Sequence, residues 1–333
     1  MRPIEEIALP GVMEWLLEPE NPSVRYFTLT TLLNKPAAGR DVTEARQAIM
    51  HAGPVPEILA MQREDGYWKS PDQFYTAKYT GTVWQLMILA ELGADGADPR
   101  IQQACEFILN FSREKESGGF AYRTGKREGG GLKSEVIPCL TGNLVWSLIR
   151  HGWSHDPRVQ RGIDWICRYQ RTDDGEGEPP AGWPYDRYEM CWGRHTCHMG
   201  VAKSLKALSA LPETERSSAV NRKIGELSEF LLKHHIYKRS HNLGKISKPG
   251  WSRFGFPLMY QTDILEILDI MASLGIDDPR MEDAITLLLR KRTTGGKWVM
   301  ENSFNGKMIT NIESLKKESK WITLKALSIL LKH

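Results

Sequence analysis

The sequence predicts an all-α protein of about five helical hairpins and a closing helix. Three observations carry that reading. A unit of about sixty residues recurs along the chain. Apolar residues return at helical spacing, while strand signals are nearly absent. A glycine–aromatic pair follows the second helix of each unit.

The repeat is clearest in the segments 89–109, 148–170 and 271–292. Each holds the end of one apolar-periodic run, a turn containing Asp-Pro-Arg, and the start of a second run. The turn aspartates are Asp98, Asp156 and Asp278, separated by 58 and 122 residues, so one unit is hidden in the longer interval. That hidden copy is 203–237, and a worn first copy is 27–49. The segment 319–333 reads as half a unit that closes the array. Within one unit, Val83, Leu86, Met87 and Ala90 keep i, i+3, i+4, i+7 spacing. Asp before Pro-Arg marks a helix start, because Asp caps free N–H groups and Pro sits where none is needed.

The glycine–aromatic pairs are Gly66-Tyr67-Trp68, Gly119-Phe120, Gly182-Trp183, Gly250-Trp251 and Gly296-Lys297-Trp298. Glycine ends a helix by accepting a left-handed conformation, and the aromatic folds back over the helix end. The chain divides into an N-terminal extension, 1–22, and one domain, 23–333.

Composition sets the outer bounds. The chain has 333 residues, enough for a sizeable core, and 44 Lys+Arg against 41 Asp+Glu leave a net charge of +3. That balance gives no sign of nucleic-acid binding. Five thinly spread cysteines imply no disulfide framework and fit a cytoplasmic protein. The N-terminal residues lack the apolar run of a signal peptide, and no apolar stretch is long enough to span a membrane. Peripheral contact with a membrane stays open.

The segment Gln62-Arg63-Glu64-Asp65-Gly66-Tyr67-Trp68, preceded by Ile58-Leu59-Ala60, resembles the Gln-x-x-x-Gly-x-Trp element of squalene–hopene cyclases and their relatives. Arg292-Thr293-Thr294-Gly295-Gly296-Lys297-Trp298 is a near copy with Arg for Gln, and the other pairs keep only Gly and the aromatic. The resemblance covers roughly 25–300. It implies the α/α toroid of terpenoid cyclases and protein prenyltransferase β-subunits, with an inner and an outer ring of helices around a central cavity. It does not bring the catalytic motifs with it. The Asp-x-Asp-Asp proton donor, the Asp-x-Cys zinc pair and the Asp-rich diphosphate motif of the family's relatives are all absent. The chain looks like a short single-toroid member.

In such a ring, the glycine–aromatic loops and the starts of the inner helices share one mouth. Aligning on the turns places Tyr79-Thr80-Gly81, Leu140-Thr141-Gly142, His198-Met199-Gly200 and Gln261-Thr262-Asp263 in register, with Asp263 where three units have glycine. A carboxyl at a buried helix start is pushed up by burial and down by the helix N–H groups. Asp263 is therefore the leading acid/base candidate, with His198 as its partner by analogy with the cyclase Asp–His pair. Asp186, Tyr185 and Tyr260 complete the surroundings. The alternative for Asp263 is an ordinary helix cap.

Trp68, Tyr79, Phe120, Trp183, Tyr185, Trp192, Trp251 and Tyr260 are the candidate aromatic lining, and Arg253 a candidate anion contact. Such a lining suits a small apolar substrate, an isoprenoid being one example, because aromatic faces exclude water and stabilise developing carbocations. The chemistry expected is cyclisation, isomerisation or hydration. Cys191, His195 and His198 follow i, i+4, i+7 spacing and offer zinc ligands if one helix carries all three. That gives a second reading, a metal-dependent lyase, hydrolase or transferase. A third is a non-catalytic toroid that binds lipid or protein. The glycine-rich loop with Arg123, Lys126, Arg127 and Lys133 lacks the Lys-Ser/Thr of a phosphate-binding loop.

Overall fold

The computed structural model describes residues 4–125 and 129–333, so Lys126 and Arg127 lie outside the described residues. Two short helices open the chain, α1 (Ile4–Ile7) and α2 (Val12–Leu16). Then come α3 (Pro22–Phe27), continued by a π turn over Thr28–Leu32, α4 (Arg40–Ile49) and α5 (Pro54–Ala60). Two hairpins follow, α6 (Thr82–Glu91) with α7 (Pro99–Phe111) and α8 (Pro138–Arg150) with α9 (Pro157–Tyr169). A short α10 (Glu189–Trp192) precedes α11 (His198–Ser209) and α12 (Ser218–Lys233). A two-stranded hairpin, β1 (Lys238–Arg239) and β2 (Asn242–Ile246), leads into α13 (Ile264–Ser273), α14 (Glu282–Arg290) and α15 (Lys320–Lys332). Among the described residues the regular structure is helical apart from this one two-stranded sheet, as the sequence predicts.

The two helices of a unit differ in what they bury. Every residue of α6 is buried, and so is all of α8 except Arg150. In α9 only Val159, Gly162, Ile163, Trp165 and Ile166 are buried, a single stripe. A helix apolar all round belongs inside, and a striped helix covers it. The buried helices pack in chain order, α6 on α8, α8 on α11, α11 on α13 and α13 on α15. Helix α15 then returns to α3 and its π turn, where Phe27 meets Trp321. Helices α1 and α2 join the same core, since Ile7, Val12 and Leu16 are buried in it.

The turn aspartates are caps. Asp98, Asp156 and Asp278 accept from the N–H of Arg100, Arg158 and Arg280 at 2.9, 2.8 and 2.9 Å. The same arginines fold back onto their aspartates, and Arg158 and Arg280 reach on to Glu106 and Glu229 of the preceding outer helices. These pairs are partly exposed, so they fix register more than they add stability.

The glycine–aromatic repeat resolves into a structural clasp in three of its five copies. The indole N–H of Trp68 donates to Ile58 O, and that of Trp298 to Leu288 O, both at 2.8 Å and both ten residues back. The backbone N–H of Trp68, Phe120 and Trp298 donates to the hydroxyl of Thr82, Thr141 and Thr323 in the next buried helix. One residue thus ties the end of an outer helix to the start of the following inner one. Gly66 has φ +84°, and a Cβ there would lie 2.7 Å from the Gln103 backbone, so both the turn and the close approach exclude other residues. Trp183 and Trp251 do not make this clasp. Trp183 is half-exposed and donates to Lys133 O, and Gly250-Trp251 lies in a 3₁₀ turn, Pro249–Ser252. Trp298→Ala is expected to cost about 3–5 kcal/mol, against about 1 kcal/mol for Thr323→Val. Urea unfolding of the two variants checks both, and equal small losses would remove the clasp.

Candidate functional site

Asp263 is the N-cap of α13 and is 1% exposed. Its Oδ1 accepts from Glu266 N–H at 2.8 Å and its Oδ2 from Gly255 N–H at 3.0 Å. The second bond reveals its place in the repeat. In three other units the matching position is Thr82, Thr141 or Thr323, whose hydroxyl accepts the incoming loop N–H. Asp263 therefore fills, at the start of α13, the accepting role that those threonines fill near the starts of α6, α8 and α15. Burial pushes its carboxyl up to about 7, opposed by the two backbone N–H groups. The void beside it is only about 10 Å³, room for at most one water.

His198 does not pair with Asp263. Its Nδ1 lies 3.2 Å from Ser247 Oγ, and its ring packs against Phe230, His234 and Trp251. Burial drives its pKa down to about 3, so it is neutral, and its buried Nε2 has no hydrogen-bond partner among the described residues. The carboxylate of this neighbourhood is Asp174, 3.2 Å from His234 Nε2. Asp186 is exposed and sits 3.6 Å from Arg187. Its exposure removes it from the surroundings of Asp263.

The three-residue metal cluster does not form. Helix α10 ends at Trp192 and α11 begins at His198, so Cys191, His195 and His198 share no helix face. Gly193 makes the break. Among the described residues no group of three or more His, Cys, Asp and Glu side chains is placed to hold a metal ion. The Cys191 thiol is pushed up to about 12 by burial, so it stays protonated at neutral pH.

The aromatic candidates are mostly wall material. Trp68, Phe120, Trp192 and Trp251 are buried, and Trp192 packs edge-on to Trp165 and Tyr185. The Tyr185 hydroxyl donates to Tyr169 O, and Trp183 stands edge-on to the Tyr169 ring. Tyr79 is buried against Trp84 and Phe304, and Lys78 sits 4.8 Å over Tyr260. Arg253 is exposed. None of these nine residues lines the cavity to which the buried helices contribute.

That cavity lies at the other end of the buried helices, near their C-termini. It measures about 400 Å³ and takes residues from α3 and its π turn, α6, α8, α11, α13 and α15. Its apolar walls are Phe27, Trp146 and Trp321, and its polar wall is Glu91, Lys206, Asp269 and Lys325. Arg150 and Lys332 stand at the exposed rim, with no ion-pair partner among the described residues.

The polar wall continues into the core as a ladder of paired charges. Lys206 Nζ bonds Glu91 and lies 2.9 Å from Glu266 Oε1, while its charge rests 3.9 Å from the Trp146 ring centre. Lys203, fully buried, holds both Glu266 oxygens at 2.8 and 2.7 Å. Lys325 spans Glu91 and Asp269 at 3.7 and 3.2 Å. Burial opposes every one of these charges, and the partners decide the outcome. Glu266 is held down to about 2 by Lys203 and Lys206. Lys206 is raised by Glu266 and Glu91. Lys203 faces one carboxylate, and desolvation leaves it below the usual lysine value. Asp263 adjoins the ladder through Glu266, whose N–H it accepts.

The chain matches no protein-family model, that of the squalene–hopene cyclase repeat included, and no curated protein sequence. Solved structures are similar to it over most of its length. The type II terpene cyclase MstE from Scytonema is 15% identical, with 94% of this chain and 88% of that one covered and a TM-score of 0.42. A protein from Actinoplanes is 14% identical, with 93% and 89% covered and a TM-score of 0.42. A polysaccharide lyase is 12% identical, with 94% and 89% covered and a TM-score of 0.47. These likenesses assign no activity to the chain, which rests on the site.

The ladder residues escaped sequence reasoning, although they left a signal. Glu91 closes LMILAE, Lys203 and Lys206 interrupt VAKSLKAL, Glu266 interrupts DILEILDIM, and Lys325 interrupts WITLKALSIL. Charges set among apolar residues of a helix are drawn toward burial, and a buried charge needs a partner.

Proposed function

We propose that the helix pairs close into an α/α toroid and that its central cavity binds a small amphipathic anion, on which the buried ladder acts by proton transfer. The ring is supported by the repeat and by the packing of each buried helix on the next, back to α3. The observation that carries the ligand reading is the cavity itself. Helices α3, α6, α8, α11, α13 and α15 contribute to it, one wall is aromatic, another is charged, and two cations without an ion-pair partner among the described residues guard its rim. An aromatic wall takes an apolar or planar body, and Arg150 with Lys332 takes a carboxylate or phosphate group. A purely apolar substrate would leave those charges without a role.

The acid/base capacity sits in Lys206 and Glu91, which face the cavity, with Asp263 behind them as a buried proton-holding group. Perturbed, mutually coupled ionisable groups beside a cavity are the usual make-up of an acid/base site. The test is native mass spectrometry of the purified protein, followed by equilibrium binding of the compound recovered. An anionic compound should be retained. Arg150→Glu with Lys332→Glu should weaken its binding by about tenfold or more with the melting temperature unchanged. Retention of a neutral hydrocarbon, or binding indifferent to the double charge reversal, removes the reading.

A further inference from the structure

The most one-sided stretch of the chain lies away from the cavity. From Phe230 to Thr262 there is no Asp or Glu, while Lys233, Lys238, Arg239, Lys245, Lys248 and Arg253 fall within it. The net charge of the whole chain conceals this segregation. Lys233 and Lys238 reach out to Glu176 and Asp283. The other four have no ion-pair partner among the described residues, and all four are exposed.

The fold presents this stretch as a protrusion. Strands β1 and β2 pair antiparallel, with Arg239 opposite Asn242 and Lys238 opposite Ile246. Every residue of β2 is exposed. Leu243 and Ile246 are 37% and 39% exposed, and they flank Lys245. Three residues apart on one strand, they point to opposite faces of the hairpin, and neither face is covered by the core. Here they stand among cations at the glycine–aromatic end. Met190, 89% exposed, belongs to another connection at that end, the one entering α11.

We propose that the 238–248 hairpin docks the protein on the surface of a bilayer containing anionic phospholipid. Basic residues gather at an anionic headgroup layer, and apolar side chains beside them enter the acyl boundary. The two features together select the occupant. A nucleic-acid backbone would satisfy Arg239, Lys245 and Lys248 but would give Leu243 and Ile246 no partner. No helix among the described residues is long and apolar enough to cross a membrane, so the contact is peripheral.

Co-sedimentation of the full chain with large unilamellar vesicles tests this. Vesicles with about 30% phosphatidylserine in phosphatidylcholine should carry down about tenfold more protein than phosphatidylcholine alone. Salt at about 0.5 M should abolish most of the difference. Lys245→Glu with Lys248→Glu should abolish it at low salt. Leu243→Ser with Ile246→Ser should weaken it severalfold at unchanged charge, which a purely electrostatic contact would not show. Circular dichroism confirms that these exposed variants fold. Equal sedimentation with both vesicle types overturns the proposal, as does anionic binding that survives the Glu pair. Preferential capture of a duplex oligonucleotide also overturns it.

Discussion

Glu266→Ala is expected to lower the free energy of unfolding by about 3–5 kcal/mol, the usual loss when one member of a buried ion pair is removed. The wild-type carboxylate receives Lys203 through both oxygens and Lys206 through one. Without it Lys206 retains Glu91, but Lys203, with no exposed surface, retains nothing within ion-pair reach among the described residues. A buried ammonium must then lose its proton or draw in water, and either outcome costs the folded state. Lys203→Met combined with Glu266→Leu should recover most of the loss, because an apolar pair of similar volume carries no desolvation penalty. Urea unfolding of the two single variants and the double variant reads the coupling. A double variant whose loss equals the sum of the single losses would show that the ladder is ordinary packing.

The second large effect concerns pH and Asp263. Its folded pKa of about 7 lies above the ordinary 3.8. Between those values the folded state keeps a proton that the unfolded chain has released. Stability from this group is therefore full at low pH and falls as pH rises, by about 1.4 kcal/mol per unit. Across the window the total is about 4 kcal/mol. His198 and His151 work in the opposite sense. Burial lowers them to about 3 and about 4, so their contribution is lost as pH falls below the ordinary 6.5. The raw curve mixes the three groups, and the difference between wild type and Asp263→Asn isolates one. The variant keeps an oxygen for the Glu266 N–H but presents an amide to Gly255, so it starts less stable, by about 1–3 kcal/mol at low pH. Its deficit should shrink and then reverse as pH climbs from about 4 to about 7. Unfolding measured at several pH values checks the slope, and a pH-independent difference between the two proteins would sink the raised carboxyl.

That experiment bears on function as well as on stability. A carboxyl titrating near neutrality, one backbone step from a charge ladder that ends at a cavity, can hold or release a proton for chemistry in that cavity. Its enclosure, with both oxygens on backbone N–H groups, gives it no direct access to a ligand. The ionisable residues of the cavity wall are Glu91, Lys206, Asp269 and Lys325.

Much of the architecture was legible in the residues alone. The Asp-Pro-Arg turns mark the starts of α7 and α9 and of the short turn that leads into α14, because capping depends only on neighbours in the chain. The spacing of apolar residues marked α6 as a helix but gave it one apolar face, where the structure buries every residue of it. Local geometry also made Gly66 obligatory. The site was a different matter. Cys191, His195 and His198 have good spacing for one helix, but a break at Gly193 scatters them, and that break is decided by how the loop packs.

The charge ladder joins α6, α11, α13 and α15, whose ladder residues Glu91, Lys206, Glu266 and Lys325 lie up to 234 residues apart in the chain. Each helix announces only that it carries a charge in an apolar setting. Which cation meets which carboxylate, and where the cavity opens, depends on the azimuth and stagger of helices brought together by packing. Electrostatic pairing acts through space and is blind to sequence distance, so tertiary packing alone could decide it.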